Sequence, residues 1–383
     1  MNNHIKYILS IGTAVLLLIL LAMPIGVEAA EKNKKAALTI TVRSSPNSTY
    51  MSELDIESKE MYQALQNAKL ETAAEGSFFP DIEISLRNGH SKTQLRLERI
   101  GSLWDESEHK RIILPKAGSD KLLHLAEALR THHYGERIPW EEAKLILPNK
   151  SIFTVTDLES GLTFHVQRRA GRDHADVQPV TKEDTRIMKQ IYQDHWSWKR
   201  KAVLVHSDQH WIAASMNGMP HGGDGIPENN FSGHFCIHFH LSSTHKSNEP
   251  DITHQVMVNK AAGNLTAYFD SAAPHVLAKT FIEVMNHQDK DLLKQLSTGL
   301  PEQKLAYFVQ QLESLRSIRV QKQAKPKNSS MNSNSEITDS LTAEIKLPIT
   351  IESKNHSPQS MHYQFLFKRE STQSPWRFQD IQY

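Results

Sequence analysis

The segment His221-Gly-Gly-Asp-Gly-Ile-Pro-Glu-Asn-Asn-Phe-Ser-Gly-His-Phe-Cys-Ile-His-Phe-His240 decides the fold of the central part of the chain. Its second half alternates Phe235, Ile237 and Phe239 with histidines and Cys236. Successive side chains of a β-strand point to opposite faces. The alternation therefore predicts a strand with one apolar face in a core. The imidazoles and the thiol share the other face, which need not be packed.

The N-terminal residues predict export. A basic start, His4 and Lys6, precedes an apolar run over residues 8–27, and small residues follow at Ala29 and Ala30. This is the pattern of a secretory signal peptide over residues 1–30, with cleavage after Ala29 or Ala30. The run is nearly long enough to span a bilayer, so an uncleaved anchor is the alternative. We expect the remainder to be secreted or to lie in the cell envelope, outside the cytoplasmic membrane.

Cys236 is the only cysteine among 383 residues. Exported proteins normally use cysteines in disulfide pairs, so an unpaired one suggests a purpose. The alternative is a small core residue. A core thiol would lie with the phenylalanines, whereas Cys236 lies on the opposite face of its strand. The pattern therefore favours a nucleophilic cysteine, whose thiolate nearby histidines can generate or stabilise.

A base for this thiol is predicted on the preceding loop. His234 and His238 are two positions from Cys236 on the same strand, where side chains lie roughly 6–7 Å apart. They can line the site, but proton abstraction suits a residue from another segment. His221 is the candidate, because the glycines at positions 222, 223 and 225 would let its loop approach closely.

These residues resemble the L,D-transpeptidases, whose YkuD-like catalytic domain carries His-Gly, an interval in the middle teens, and then Ser/Thr-His-Gly-Cys-Ile/Val-Arg. Here His221-Gly222 precedes Cys236 by fifteen positions. His234 and Ile237 match the motif, and the chain departs from it with Gly233 (after Ser232) for Ser/Thr, Phe235 for Gly and His238 for Arg. The resemblance covers roughly a third of the chain.

The resemblance implies acyl transfer on peptidoglycan stem peptides without a cofactor. Cys236 would attack a peptide carbonyl to form a thioester, His221 would be the base, and His234 would support the geometry. Backbone N–H groups near Cys236 would stabilise the oxyanion. The substrate-binding positions carried over from the motif are Gly222, Ser232, Gly233 and His238.

A metal site is the strongest alternative. His234, Cys236, His238 and His240 alternate on one strand, and with Asp224, His245 or His254 they could hold zinc or copper. An exported zinc peptidase acting on cell walls, with Glu228 as base, would fit the same location. The chain has no His-Glu-x-x-His motif to support it. A non-catalytic wall-binding protein is the second alternative, and the substitutions flanking Cys236 favour it.

Two weaker groups lie upstream. His174-Ala-Asp176 could line the cleft as a His/Asp pair, or belong to a surface loop. The segment His195-Trp-Ser-Trp-Lys-Arg200 predicts an aromatic patch that either supports the sheet or holds a glycan. The formal net charge is +1, and no basic cluster is interleaved with aromatic residues, so nucleic acid is not an expected partner. Oligomeric state is not predicted.

We expect a multidomain α+β protein with a central, mainly-β, L,D-transpeptidase-like domain flanked by small α+β modules. The first module, residues 35–148, contains a hairpin over residues 81–99, a strand from Lys110 and a helix over residues 120–130. The central domain covers residues 151–265, with a hairpin at 151–168, a helix capped by Thr181 and a strand pair over 201–216.

The last module, residues 272–383, is predicted to have helices over 274–296 and 301–316, a polar linker over 321–335 and three closing strands. This order, with a terminal Trp-x-Phe-x-Asp-Ile strand, resembles the NTF2-like modules appended to exported bacterial proteins.

Overall fold

A computed structural model of the chain describes residues 37–72, 76–88, 91–223, 225–244, 247–321, 339–354 and 356–383. The predicted signal peptide and residues 322–335 of the predicted linker lie outside this range. The chain divides into two compact units, of which the first ends at His133 and the second begins at Tyr134. Both mix helices with antiparallel strands, so the α+β prediction is confirmed. Within the described range no helix is long and apolar enough to cross a bilayer.

The first unit is an antiparallel sheet with two helices, α1 (Lys59–Gln66) and α2 (Lys116–His133). The predicted hairpin over residues 81–99 is present, and the predicted helix is longer than expected, because it begins directly after Pro115. The strand order is β2-β1-β4-β5-β6-β7-β3. The strands are β1 (Ala37–Val42), β2 (Ser52–Ile56), β3 (Lys69–Thr72), β4 (Phe78–Asn88), β5 (Ser91–Glu98), β6 (Leu103–Asp105) and β7 (Lys110–Ile113).

The second unit opens with a closed barrel of six strands in the order β10-β13-β12-β11-β8-β9. The predicted hairpin and strand pair of this region are confirmed, and Thr181 caps the predicted helix in a capping box with Asp184. The elements are α3 (Trp140–Ile146), β8 (Ile152–Asp157), β9 (Thr163–Ala170), β10 (Ala175–Pro179), α4 (Lys182–Ile191), β11 (Lys201–Ser207), β12 (His210–Met216) and β13 (Phe235–His238).

Alternate residues of all six strands fill the barrel with apolar side chains. They form one buried cluster with residues of α3 and α4, including Trp140 and Met188. In a closed barrel the intervening residues must face outward. For β13 this places Phe235 and Ile237 inside, where they belong to the apolar cluster, and Cys236 and His238 outside.

Helices and a second sheet complete this unit. The predicted helix over 274–296 is in fact two helices, because Gln288 adopts a left-handed conformation (φ 59°) and Asp289 caps a new helix. The four-stranded sheet has the order β16-β17-β18-β19. The remaining elements are β14 (Ser243–Thr244), β15 (Ser247–Pro250), α5 (Ile252–Ala261), α6 (Leu265–Ser271), α7 (Pro274–His287), α8 (Lys290–Leu296), α9 (Glu302–Ser314), β16 (Leu315–Val320), β17 (Thr342–Ser353), β18 (Gln359–Lys368) and β19 (Arg377–Gln382).

Candidate active site

Strand β13 has the two predicted faces, but neither is open. Phe235 and Ile237 are fully buried in the barrel, while Cys236 and His238 lie on the outer face with exposures of only 5% and 2%. The polar face, which the sequence does not require to be packed, is packed in the structure: β10 lies beside β13, and α5 lies against its outer face. The regular alternation ends with the strand, because Leu241 adopts a left-handed conformation and is 58% exposed.

The loop before β13 brings His221 to the thiol. The backbones of His221 and His234 form a β-bridge in which each N–H donates to the other residue's carbonyl. His221 Nε2 lies 3.3 Å from Cys236 Sγ, and its Nδ1 lies 2.8 Å from the Met219 carbonyl oxygen. A carbonyl oxygen only accepts hydrogen bonds, so the Nδ1–H donates to it and Nε2 is directed at the thiol.

Two glycines permit this close approach. A Cβ on Gly222 (φ +76°) would lie 2.2 Å from the His234 ring, and a Cβ on Gly233 (φ +86°) would lie 2.4 Å from the His221 carbonyl oxygen. Gly225 also needs its hydrogen, because the Gln178 amide occupies the space beside it. The prediction does not hold for Gly223, where a Cβ would meet nothing within 4 Å.

The buried amide of Gln178 fixes this loop at two points. Its Nε2 donates to the Gly233 carbonyl, and its Oε1 accepts from the Ile226 N–H. Because Gln178 belongs to β10, the loop is attached to the barrel wall rather than to its own ends alone. The exposed Ser232 has no such role.

The other side of Cys236 is lined by His174 and Asp176, which the sequence indicated only as a minor candidate. Asp176 lies directly opposite Cys236 in the β10–β13 ladder. Its Oδ1 lies 3.3 Å from His174 Nε2, 3.7 Å from His234 Nε2 and 3.8 Å from Cys236 Sγ. His174 is 1% exposed, so the surface-loop interpretation is wrong for it.

Three imidazoles form a buried stack outside the barrel. The His174 and His238 rings are 4.2 Å apart at 15°, and the His238 and His254 rings are 3.7 Å apart at 12°. Ser215 Oγ lies 2.9 Å from His254 Nδ1, at the end of the stack. His238 is therefore enclosed between two rings and is not exposed to a substrate at the surface.

The groups around Cys236 shift its pKa and the pKa values of the neighbouring imidazoles. Burial raises the pKa of Cys236, but hydrogen bonds from His174 and His221 outweigh it, and the net pKa is lowered. The hydrogen bond to Cys236 raises the pKa of His221. Burial lowers the pKa of His174. The hydrogen bonds to Asp176 and Cys236 raise this pKa by a larger amount, and the net value is about 10. Burial holds the pKa of His254 well below its ordinary value.

The two tryptophans of the predicted aromatic patch have different surroundings. Trp196 contacts Phe231 edge to face with ring centroids 5.4 Å apart, and it supports the barrel core. Trp198 is 50% exposed, and its ring centroid lies 5.1 Å from that of His221. Trp198 therefore lies beside the half-buried His221, on the side from which His221 approaches Cys236.

Among the residues that the structure describes, two sets of side chains could hold a metal ion, and both include Cys236. One is His174, Cys236 and His238, and the other is His221, His234 and Cys236; within each set the ligand atoms lie within 4.8 Å of one another. His240, a predicted ligand, belongs to neither set, because its ring faces Gln255. Glu228 is exposed with φ 62°. Asp224 and His245 lie outside the described residues.

In comparisons with known proteins, no family model, no curated protein and no solved structure matches this chain.

Proposed function

We propose that the chain is an exported peptidoglycan-modifying enzyme that transfers acyl groups through a thioester on Cys236, as L,D-transpeptidases do. The observation that carries the proposal is the 3.3 Å approach of His221 Nε2 to Cys236 Sγ, with the opposite ring nitrogen held by a backbone carbonyl. A nucleophile, an adjacent base and a third group that orients the base are the parts of a nucleophilic site.

The reaction proceeds in two steps. His221 Nε2 takes the Cys236 proton, and the thiolate attacks a carbonyl carbon of a stem peptide. The tetrahedral adduct expels an amine, which receives the proton from His221 Nε2, and a thioester remains. An acceptor amine or water then gives a proton to His221 and attacks the thioester, which releases the Cys236 thiolate.

The surroundings define what each neighbour contributes. His234 supports the base through the backbone bridge. Because the His234 N–H already donates to the His221 carbonyl oxygen at 2.7 Å, other donors must stabilise the oxyanion. Substrate enters from the side of His221, because His174 and His238 enclose the opposite side. Exposed Trp198 offers a flat apolar surface to a sugar or peptide group there.

The test is intact-mass analysis of the purified protein after exposure to a carbapenem and, separately, to stem peptides. We expect one covalent adduct in the wild type, none in Cys236→Ala and strongly slowed formation in His221→Ala. His210→Ala, which changes an exposed histidine of the same barrel, is the matched control and should react as the wild type does. No adduct with either reagent would contradict the proposal.

A metal site remains the second candidate function, because two three-residue sets of suitable ligands share Cys236. Stoichiometric zinc or copper in the purified protein, lost in Cys236→Ala, together with the absence of an adduct, would favour a metal-dependent wall peptidase. Neither adduct nor metal would favour a non-catalytic wall-binding protein.

A further inference from the structure

The two sets of candidate metal ligands that share Cys236 differ in the direction of their imidazoles. In the inner set, which is His174, Cys236 and His238, the two rings are stacked 4.2 Å apart at 15°. An imidazole nitrogen binds a metal ion along its lone pair, which lies in the plane of the ring. Two stacked and nearly parallel planes meet only far from both rings. One ion therefore cannot bind both imidazoles of the inner set.

The outer set, which is His221, His234 and Cys236, has converging imidazoles. The planes of the two rings are inclined at 59°, and their centroids are 4.4 Å apart. Planes inclined at this angle meet near the rings, and one nitrogen of each ring lies within 4.8 Å of the other and of Cys236 Sγ. Both imidazoles are half-buried, so an ion can reach them from solvent.

The His221 ring is already held in the orientation of a metal ligand. Its Nδ1–H donates to the Met219 carbonyl oxygen at 2.8 Å, which leaves the lone pair on Nε2, 3.3 Å from Cys236 Sγ. A tetrahedral zinc ion, with bonds of about 2.0–2.1 Å to nitrogen and about 2.3 Å to sulfur, holds these two atoms roughly 3.6 Å apart. The two ligand atoms therefore need to separate only slightly to admit the ion.

The main chain also fixes His234 relative to His221. The two residues share the backbone bridge, and a Cβ on Gly222 would lie 2.2 Å from the His234 ring. The glycine thus packs against the imidazole and restricts its movement. Ligands that are ordered before an ion arrives lose little conformational freedom when it binds.

Asp176 supplies an oxygen on the buried side of the outer set. Its Oδ1 lies 3.7 Å from His234 Nε2 and 3.8 Å from Cys236 Sγ. Tetrahedral zinc holds an oxygen ligand roughly 3.4–3.6 Å from nitrogen and sulfur ligands. Zinc accepts oxygen, nitrogen and sulfur together, whereas copper(I) selects soft sulfur ligands. The four side chains therefore suit zinc better than copper.

We propose that one zinc ion binds to His221 Nε2, His234, Cys236 and Asp176, and that this ion and an acyl group exclude each other at Cys236. The thiol releases its proton to solvent when the sulfur binds zinc. Four protein ligands leave no position for a water molecule, so the ion is an inhibitor and not the catalyst of a wall peptidase. The inhibition rests on the proposed function, but the zinc site does not.

The first test uses the purified protein after a chelator has removed metal, with zinc chloride as the probe. We expect one zinc ion per chain. One equivalent of zinc should slow the alkylation of Cys236 by iodoacetamide about tenfold or more, because the free thiolate is the nucleophile, and a chelator should restore the rate. Zinc that Cys236→Ala binds as tightly as the wild type is adventitious and would overturn the inference.

Two matched variants identify the ligands. His234→Gln removes an imidazole of the outer set and should weaken zinc binding about tenfold or more, whereas His238→Gln, in the inner set, should bind zinc within about threefold of the wild type. The opposite ranking would overturn the inference. If His238→Gln does not fold, ring ¹⁵N shifts in the wild type decide. Zinc should shift the signals of His221 and His234, and shifts at His174 and His238 instead would contradict the proposal.

Carbapenem acylation of the same samples separates this inference from the proposed function. An adduct that forms on the metal-free protein and is suppressed by zinc supports both. An adduct that forms at the same rate with and without zinc would overturn the inference alone. Zinc bound at the outer set of a protein that forms no adduct even without metal would refute the proposed function and support the zinc site.

Discussion

His221 and His234 exchange two backbone hydrogen bonds, 2.9 Å and 2.7 Å long, although His221 lies in a loop and His234 is the residue before β13. The separation of the base from the nucleophile is therefore set by the main chain, because His234 is two residues from Cys236. The side chain of His221 needs no induced movement to reach the thiol.

Gly233→Ala should break this arrangement. Its Cβ would lie 2.4 Å from the His221 carbonyl oxygen at a residue with φ +86°, so the loop must retreat from β13. We expect a loss of about 1–3 kcal/mol in the free energy of unfolding and at least a tenfold slower adduct formation by intact mass. Gly223→Ala, whose Cβ meets nothing within 4 Å, is the matched control. Equal rates for the two variants would contradict the bridge as the determinant.

Cys236 should remain reactive at a pH where ordinary thiols are not. Its pKa is lowered in the folded protein, since the hydrogen bonds from two histidines outweigh its burial. The alkylation rate should fall only as the pH drops through this lowered value. The same chain in urea supplies the reference, because it has one cysteine. Coincident pH profiles for the folded and unfolded chains would contradict the lowered pKa of Cys236.

The buried side chain of His133 should make the stability of the first unit depend on pH. Burial lowers its pKa to about 3, so between that value and about 6.5 the unfolded chain binds a proton that the folded chain does not. Stability therefore rises with pH across this window and is lost as pH falls, by up to about 1.4 kcal/mol per pH unit. Urea midpoints at several pH values measure it.

His133→Gln should flatten this dependence, while His124→Gln, which changes an exposed histidine of the same helix, should leave it unchanged. His133→Gln can also keep a hydrogen bond to Ser52, which lies 3.0 Å from His133 Nδ1. Identical slopes in both variants would show that other groups govern the acid sensitivity.

Thr181→Ala should destabilise the second unit by about 1 kcal/mol, because it removes half of a capping box at the start of α4. The Thr181 hydroxyl accepts from the Asp184 N–H at 3.1 Å, and Asp184 also accepts from the His165 N–H on β9 at 2.8 Å. Urea unfolding measures the loss. Thr181→Ser keeps the hydroxyl and should retain most of the stability.

Local periodicity and turn chemistry were sufficient to predict the hairpins, the strand pair of the barrel and the cap at Thr181. The break between α7 and α8 is not predicted, because Met285 and Leu292 are seven positions apart, as one helical face allows, although the residues between them are polar and Gln288 is left-handed. Helical periodicity does not report a single residue of different conformation.

The site is only partly predictable, because some of its residues are far from Cys236 in the sequence. His221 and Cys236 were found because one loop joins them. His174 and Asp176 lie about sixty positions upstream, and only the pairing of β10 with β13 places them at the thiol. Their alternation with Ala175 and Val177 was a signal for a strand, but no local pattern names its neighbour. The burial of the polar face depends likewise on α5, which follows β13 in sequence.

Strand β13 is packed on both of its faces, but against different surroundings. Phe235 and Ile237 lie among apolar side chains inside the barrel, whereas Cys236 and His238 are buried outside it beside imidazoles and a carboxylate. A smaller side chain on the inner face would leave a cavity, whereas a substitution on the outer face would also disturb the contacts of buried polar groups. One short strand therefore has to satisfy an apolar interior and a polar interior at alternate residues.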